Sequence, residues 1–279
     1  MLNKNLKEIF IRGTSHGVWV SISALLLFGF LLSQDALARL AWHRLNRPDV
    51  ALALVRRDAE FAMLLGNYYF GQTLGKSEYD LARAERAFRR AVAADPKILW
   101  GHYQLARIYF VKGRHNLALE EVAKELEANP ENLRSLYVRG LIYGHRGFPG
   151  DLEKAEADFR RFVQWAPKEW AGYNDLAWIL SKRAKYHEAA EVIRVAFSAV
   201  SDADQNPWLW NALGVAELNL KKYAAAANSF EKAKELAEKL TTNDLARAYP
   251  GNNPSTSDEG LSAFIAAIEE NLRHTESRK

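Results

Sequence analysis

A pattern of small, aromatic and alanine residues returns five times along this chain, and its period limits the fold more tightly than any other feature. The clearest copy has Leu65, Gly66 and Tyr69, followed by Ala84, Phe88, Ala91 and Pro96. The second reads Leu105, Ala106, Tyr109, Ala118 and Pro130; the third reads Gly140, Tyr143, Ala155, Phe159 and Pro167. A fourth uses Leu176, Ala177, Ala189 and Ala196, and a fifth uses Trp210, Leu213, Gly214, Ala226, Phe230 and Ala233. The copies begin at Ala59, Leu99, Leu133, Trp170 and Pro207, at spacings of 40, 34, 37 and 37 residues. A period of this length predicts one helix pair per copy, stacked on its neighbours, because a lone pair cannot bury its apolar faces. Within each copy the small residue permits close helix approach and the large residues fill the space around it, and in the first three a closing proline ends the second helix.

These residues make the chain resemble the tetratricopeptide-repeat proteins over residues 59–240. The resemblance implies an all-α protein: a right-handed superhelical solenoid of about five tetratricopeptide (TPR) helix pairs. Three departures stand out. Glu125 replaces a small residue in the second copy, Glu217 replaces the tyrosine of the fifth, and Ser201 stands where the fourth should have its proline. Extra residues fall at 71–80, 148–150 and 198–206, where they are expected to lengthen turns and leave the helices intact.

The chain before the repeats has a different character. No residue between Arg12 and Asp35 carries a full charge, and residues 13–34 would span about 33 Å as a helix, enough for a hydrocarbon core of about 30 Å. We read residues 1–16 as a short basic tail, 17–34 as a transmembrane signal-anchor contacting the lipid bilayer, and 35–58 as juxtamembrane helices. Pro48-Asp49 restarts a helix expected to run through Arg57 into the first repeat. The basic tail favours a cytoplasmic N-terminus, which places the repeats outside the cytoplasm in a single-pass protein. A secretory signal peptide cleaved near Ala38 is the alternative, since Ala36-Leu37-Ala38 supplies a small-x-small site. After the repeats, 241–257 reads as a linker. Leu261, Phe264, Ile265, Ile268 and Leu272 then share one face of a helix at 258–274, which is expected to cap the exposed end of the array.

Charge narrows the partners. Residues 1–57 hold eight Lys/Arg against three acidic residues, a net +5, whereas the remainder holds 30 basic and 31 acidic residues, a net −1. The repeats thus lack the clustered positive footprint of a nucleic-acid binder. With no cysteine, disulfides, thiolate catalysis and Cys-based zinc sites are excluded. The seven histidines are scattered without metal-ligand spacing, and no phosphate loop or nucleophile motif occurs, so the expectation is a non-enzyme with no cofactor, no metal and no catalytic residue.

The family resemblance implies instead a concave groove, lined by the first helix of each pair, that takes a protein or peptide partner. Carried onto this sequence, the groove positions are Trp100, Tyr103, Arg107 and Phe110 in the second copy, with Val111 beside them. The third copy contributes Arg134 and Tyr137, with Leu141 and His145. The fourth gives Asn174, Trp178 and Lys182; the fifth gives Trp208 and Asn211, with Val215 and Asn219. The cationic clamp by which some family members hold a peptide carboxylate is incomplete here, with Met63, Asn67, Gln104, Arg134 and Val138 at its places. A peptide of mixed apolar and polar character fits better. The expected function is a membrane-anchored scaffold or adaptor of a bacterial-type envelope, acting in assembly, secretion or export. The alternatives are a secreted soluble repeat protein and a non-catalytic subunit of a membrane enzyme complex. The oligomeric state is not legible.

Overall fold

The computed structural model describes residues 29, 34–71, 78–248 and 257–276. The expected tail at 1–16 and signal-anchor at 17–34 lie outside the described residues, apart from Gly29 and Gln34. Among the described residues no helix is long and apolar enough to cross a membrane. The chain divides into two compact units, residues 1–98 and 99–279. Among the described residues the regular structure is helical, with one isolated antiparallel bridge between Phe70 and Tyr79.

The first unit holds α1 (34–43), α2 (Pro48–Leu54), α3 (Ala59–Tyr69) and α4 (Leu81–Ala94). The helix expected to continue from Pro48 through Arg57 stops at Leu54, and the sequence contains the reason. Asp58 caps α3 by accepting from Phe61 N at 3.0 Å. The Asp35 carboxylate accepts from Arg56 N at 2.7 Å and Arg57 N at 3.2 Å, holding residues 55–57 out of the helix. On α1 the burial is inverted. Ala38 and Ala41 are buried and Trp42 lies edge-on to Phe61, while Leu37 and Leu40 remain 46% and 48% exposed.

The second unit contains four helix pairs: α5 (Gly101–Val111) with α6 (His115–Ala128), α7 (Arg134–Arg146) with α8 (Asp151–Trp165), α9 (Trp170–Lys182) with α10 (Tyr186–Ala199), and α11 (Pro207–Asn219) with α12 (Tyr223–Ala237). The repeat pattern becomes a size rule at the point where the helices of a pair touch. A Cβ on Gly140 would lie 2.9 Å from the Phe159 ring, and one on Gly214 would lie 2.6 Å from the Phe230 ring. Gly66 faces Phe88 in the same way in the first unit. Where the small residue is alanine, the equivalent large position shrinks to match: Ala106 goes with Val122 and Ala177 with Ile193, all buried.

The departures from the pattern have local explanations. Trp100, the N-cap of α5, is left-handed (φ 73°) and gives no side-chain cap. Glu125, fully buried on α6, supplies the acceptor instead, taking Trp100 N at 3.0 Å and Tyr103 N at 3.1 Å. It also accepts from the side-chain amides of Asn129 and Asn132 at 3.1 and 2.8 Å. Glu217 accepts from Ser229 Oγ at 2.8 Å, with Arg194 3.9 Å away. The extra residues near 148–150 form a turn with Gly147 and Gly150 in left-handed conformations (φ 71° and 79°). Asp151 ties that turn by accepting from Phe148 N at 3.0 Å and pairing with both arms of Arg146 at 2.8 Å. The extra residues at 198–206 contain a 3-10 turn, Ala203–Gln205, and end at Asn206, which caps α11 ahead of Pro207.

The region expected as a linker at 241–257 begins with a helix, α13 (Thr242–Ala248). Thr241 and Asp244 cap it reciprocally: Thr241 N donates to Asp244 Oδ2 at 2.8 Å, and Asp244 N donates to Thr241 Oγ1 at 3.3 Å. Helix α14 runs Ser257–Glu276, slightly longer than the 258–274 read from periodicity. Its Phe264, Ile265, Ile268 and Leu272 pack on Ala226, Phe230, Ala233 and Ala237 of α12, so its apolar face covers the last pair.

Candidate functional site

The first helices of the four pairs in the second unit enclose a cleft of about 540 Å³. Each helix presents residues spaced three or four apart, which share a face: Leu141 and His145 on α7, Asn174 and Trp178 on α9, Trp208, Asn211 and Val215 on α11. Phe110 and Val111 close the α5 end.

Aromatic rings form the walls in two groups. In one, the His145 ring lies between Phe110 (centroids 5.4 Å apart) and Trp178 (4.9 Å), with Lys182 Nζ 4.5 Å from the Trp178 centroid. In the other, Trp208 stacks on Trp170 at 5.1 Å and on Phe264 of α14 at 5.6 Å. Gly144 makes room for the first group: a Cβ there would lie 2.6 Å from the Trp178 ring. His145 keeps an exposed edge. Crowding by its neighbours, then the charges of Lys182 and His115, hold its imidazole pKa below the ordinary value.

The floor is acidic. Asp175 is only 4% exposed; its carboxylate accepts from the Tyr137 hydroxyl at 2.7 Å and from Asn174 Nδ2 at 3.0 Å. Burial pushes its carboxyl up to about 6 against the lowering effect of those two hydrogen bonds. Asn211 Oδ1, also in the cleft, is buried without a hydrogen-bond partner among the described residues.

Of the groove positions carried over from the family resemblance, the cleft brings together Phe110, Val111, Leu141, His145, Asn174, Trp178, Trp208, Asn211 and Val215. The others are placed elsewhere. Tyr103, Arg107 and Tyr137 are buried in the packing, Arg107 donating to Gln104 Oε1 at 2.8 Å. Trp100 occupies the N-cap position of α5 and meets Tyr103 edge-on. Arg134 pairs with Glu169 at 2.7 Å. Lys182 is at the rim, donating to the Gly144 carbonyl at 3.1 Å. Asp175 and Ser181 line the cleft and were missed, because the carried-over groove positions skip them. Among the described residues no group of three or more His, Cys, Asp or Glu could hold a metal ion.

A family model described as tetratricopeptide repeat matches residues 209–240, the fifth helix pair. The fold is that of the tetratricopeptide-repeat proteins. Among solved structures, a type IV pilus biogenesis factor, PilW, aligns with TM-score 0.56 at 17% identity, covering 80% of this chain and 91% of that one. A tetratricopeptide protein of Thermus thermophilus aligns with TM-score 0.54 at 19% identity, covering 76% of this chain and 98% of that one. At such identities the likeness concerns the fold alone. In sequence, the chain is 26% identical over 136 residues to BBSome complex member BBS4 of Bos taurus, covering 49% of this chain and 25% of the relative. It is 31% identical over 88 residues to the tetratricopeptide repeat and J domain-containing co-chaperone DNJ1 of Cryptococcus neoformans, covering 32% of this chain and 16% of the relative. The chain therefore spans a quarter or less of the length of these curated relatives.

Proposed function

We propose that this tetratricopeptide array is a non-catalytic scaffold that holds a protein or peptide partner in the cleft between its first helices. The observation that carries this reading is the cleft itself: four successive first helices turn aromatic and amide side chains into one open volume of about 540 Å³. Such a surface offers contact area and hydrogen-bonding groups to an extended segment, the usual form of a peptide site.

The proposal extends to the membrane. The uncharged stretch at 17–34 is taken as an uncleaved anchor, with the N-terminus in the cytoplasm and the repeats outside it, in a bacterial-type envelope. The inverted burial of α1 supports this, because Leu37 and Leu40 turn outward directly after the stretch and beside Arg44. The anchor would raise the local concentration of the array near its partner.

Co-purification of the full chain from mild detergent tests the scaffold role, comparing the unmodified protein with Trp178→Ala. A defined partner lost on substitution, with the helical spectrum retained, is the expected result. A partner recovered equally with both proteins would move the site away from the cleft. Intact-mass measurement of the membrane-extracted protein tests the anchor, and loss of the first 38 residues would refute it.

A further inference from the structure

Among the described residues, each carboxylate buried in the second unit has either a cation within 4 Å or four N–H donors, with one exception. Asp151 is paired with Arg146, Asp158 with Arg139, and Glu156 with Arg160, Arg183 and Lys185. Glu121 pairs with Lys124 and His102, and Glu217 has Arg194 at 3.9 Å. Glu125 lacks a cation but accepts from four N–H donors. Asp175 is as buried as these, yet its partners are one hydroxyl and one amide, both neutral. A desolvated carboxylate with so little compensation is costly, and such groups are normally paired. At neutral pH it is ionised, because even the raised value of about 6 lies below 7.

The surroundings of Asp175 point the same way. Among the described residues lining the cleft it is the one that carries a charge at that pH, His145 being held neutral. A second acceptor, Asn211 Oδ1, lies in the same volume without a donor among the described residues. The cationic group at the rim, Lys182 Nζ, is engaged by the Gly144 carbonyl and the Trp178 face. The cleft thus offers a buried carboxylate with only neutral partners, one acceptor without a donor among the described residues, and aromatic faces on its walls. A group complementary to both has an apolar stem and a cationic, donor-rich head.

We infer that the cleft receives a basic side chain, arginine or lysine, from a partner polypeptide. Its stem packs between Trp178 and Trp208, and its head donates to the Asp175 carboxylate. This inference rests on the reading of the cleft as a peptide site, and it assigns that site a preference opposite to a carboxylate clamp.

The test uses the full chain in mild detergent and an array of synthetic twelve-residue peptides. Each arginine-containing member is matched by one with citrulline and each lysine-containing member by one with norleucine. Retained peptides are expected to contain the basic residue and to bind about tenfold to a hundredfold more tightly than their neutral matches, as befits charge-assisted hydrogen bonds to a buried carboxylate. Asp175→Asn is expected to abolish that preference. Equal binding of matched pairs by the unmodified chain overturns the inference without need of any variant, as does an arginine preference that survives Asp175→Asn. If binding is sensitive to Trp178→Ala but indifferent to charge, the peptide site stands and the basic preference falls. If no peptide depends on Trp178, both fall.

Discussion

The pairing of glycine with phenylalanine in three repeats predicts a coupling that a double-mutant cycle can measure. In the fifth pair, the Cβ introduced by Gly214→Ala would stand 2.6, 2.7 and 3.0 Å from three Phe230 ring atoms, whereas carbon atoms rest at about 3.5–4.0 Å. Phe230 is fully buried against α14, so the ring has little room to retreat. Overpacking of this kind costs about 1–3 kcal/mol, and replacing glycine by alanine inside a helix returns about 1 kcal/mol. Gly214→Ala alone should therefore destabilise by about 1 kcal/mol. Phe230→Val alone leaves a cavity and should cost about 3 kcal/mol. In the double variant the new methyl enters vacated space, the clash disappears and the helix gain remains. The double variant should be near 2 kcal/mol destabilised where additivity gives about 4, a coupling of about 2 kcal/mol. Because repeat arrays can unfold unit by unit, urea titration followed by circular dichroism needs hydrogen exchange on α11 and α12 beside it. Additivity within about 0.5 kcal/mol would refute the reasoning, and the Ala106/Val122 and Ala177/Ile193 pairs would then need another explanation.

Three further outcomes are expected. Ala184 and Lys221 hold left-handed conformations (φ 57° and 60°) in turns where the second copy has Gly113 (φ 68°). Ala184→Gly should therefore stabilise by about 1 kcal/mol in urea unfolding, and no gain would mean the turn carries no strain. Glu125→Gln keeps the size and can leave its oxygen on Trp100 N, Asn129 and Asn132, but it then turns an NH₂ toward Tyr103 N and should cost about 2 kcal/mol; a loss below about 1 kcal/mol would show that water replaces the lost acceptor. Asp175→Asn should change the pH profile. With a folded pKa of about 6 against about 4 unfolded, the ionised carboxyl destabilises the fold by an amount absent below pH 4, growing from pH 4 to 6 and constant above. The variant should gain roughly 3 kcal/mol above pH 6 and nothing below pH 4, provided Tyr137 keeps its acceptor. Thermal melts across pH 4–8 would refute this if the two profiles ran parallel.

The helix pairs were legible because their apolar and small residues repeat at a fixed period, and the packing that uses them is local to one pair. Features that depend on two distant residues were not. The arrest of α2 at Leu54 requires Asp35 to reach the amides of Arg56 and Arg57 across a separation of 21 and 22 residues. The role of Glu125 looks like a defect until the missing N-cap at Trp100 is placed beside it. Thr241 and Asp244 did carry a readable signal, a threonine followed three residues later by an acid, but the nearby turn-forming residues 249–256 drew the whole region into a linker. In the site, the carried-over positions found the aromatic walls because those recur on one helical face. They missed Asp175 one position away, since its importance comes from Tyr137 of the preceding repeat and from the cation it lacks.

The walls and the floor of the cleft differ in what they hold. Trp178 is wedged against Gly144 and carries His145 and Lys182; Trp208 joins Trp170 to Phe264 of α14. Each ring is at once a contact between helices and a surface for a ligand, so its removal lowers stability along with affinity, and a loss of binding on Trp178→Ala counts where the helical spectrum is retained. Asp175 behaves in the opposite sense. Its ionised form opposes folding, so Asp175→Asn is expected to make the array more stable and the cleft less selective. A residue whose replacement moves those two quantities in opposite directions is difficult to explain as packing alone. That opposition makes the floor, and not the aromatic walls, the place where a binding role can be told from a structural one.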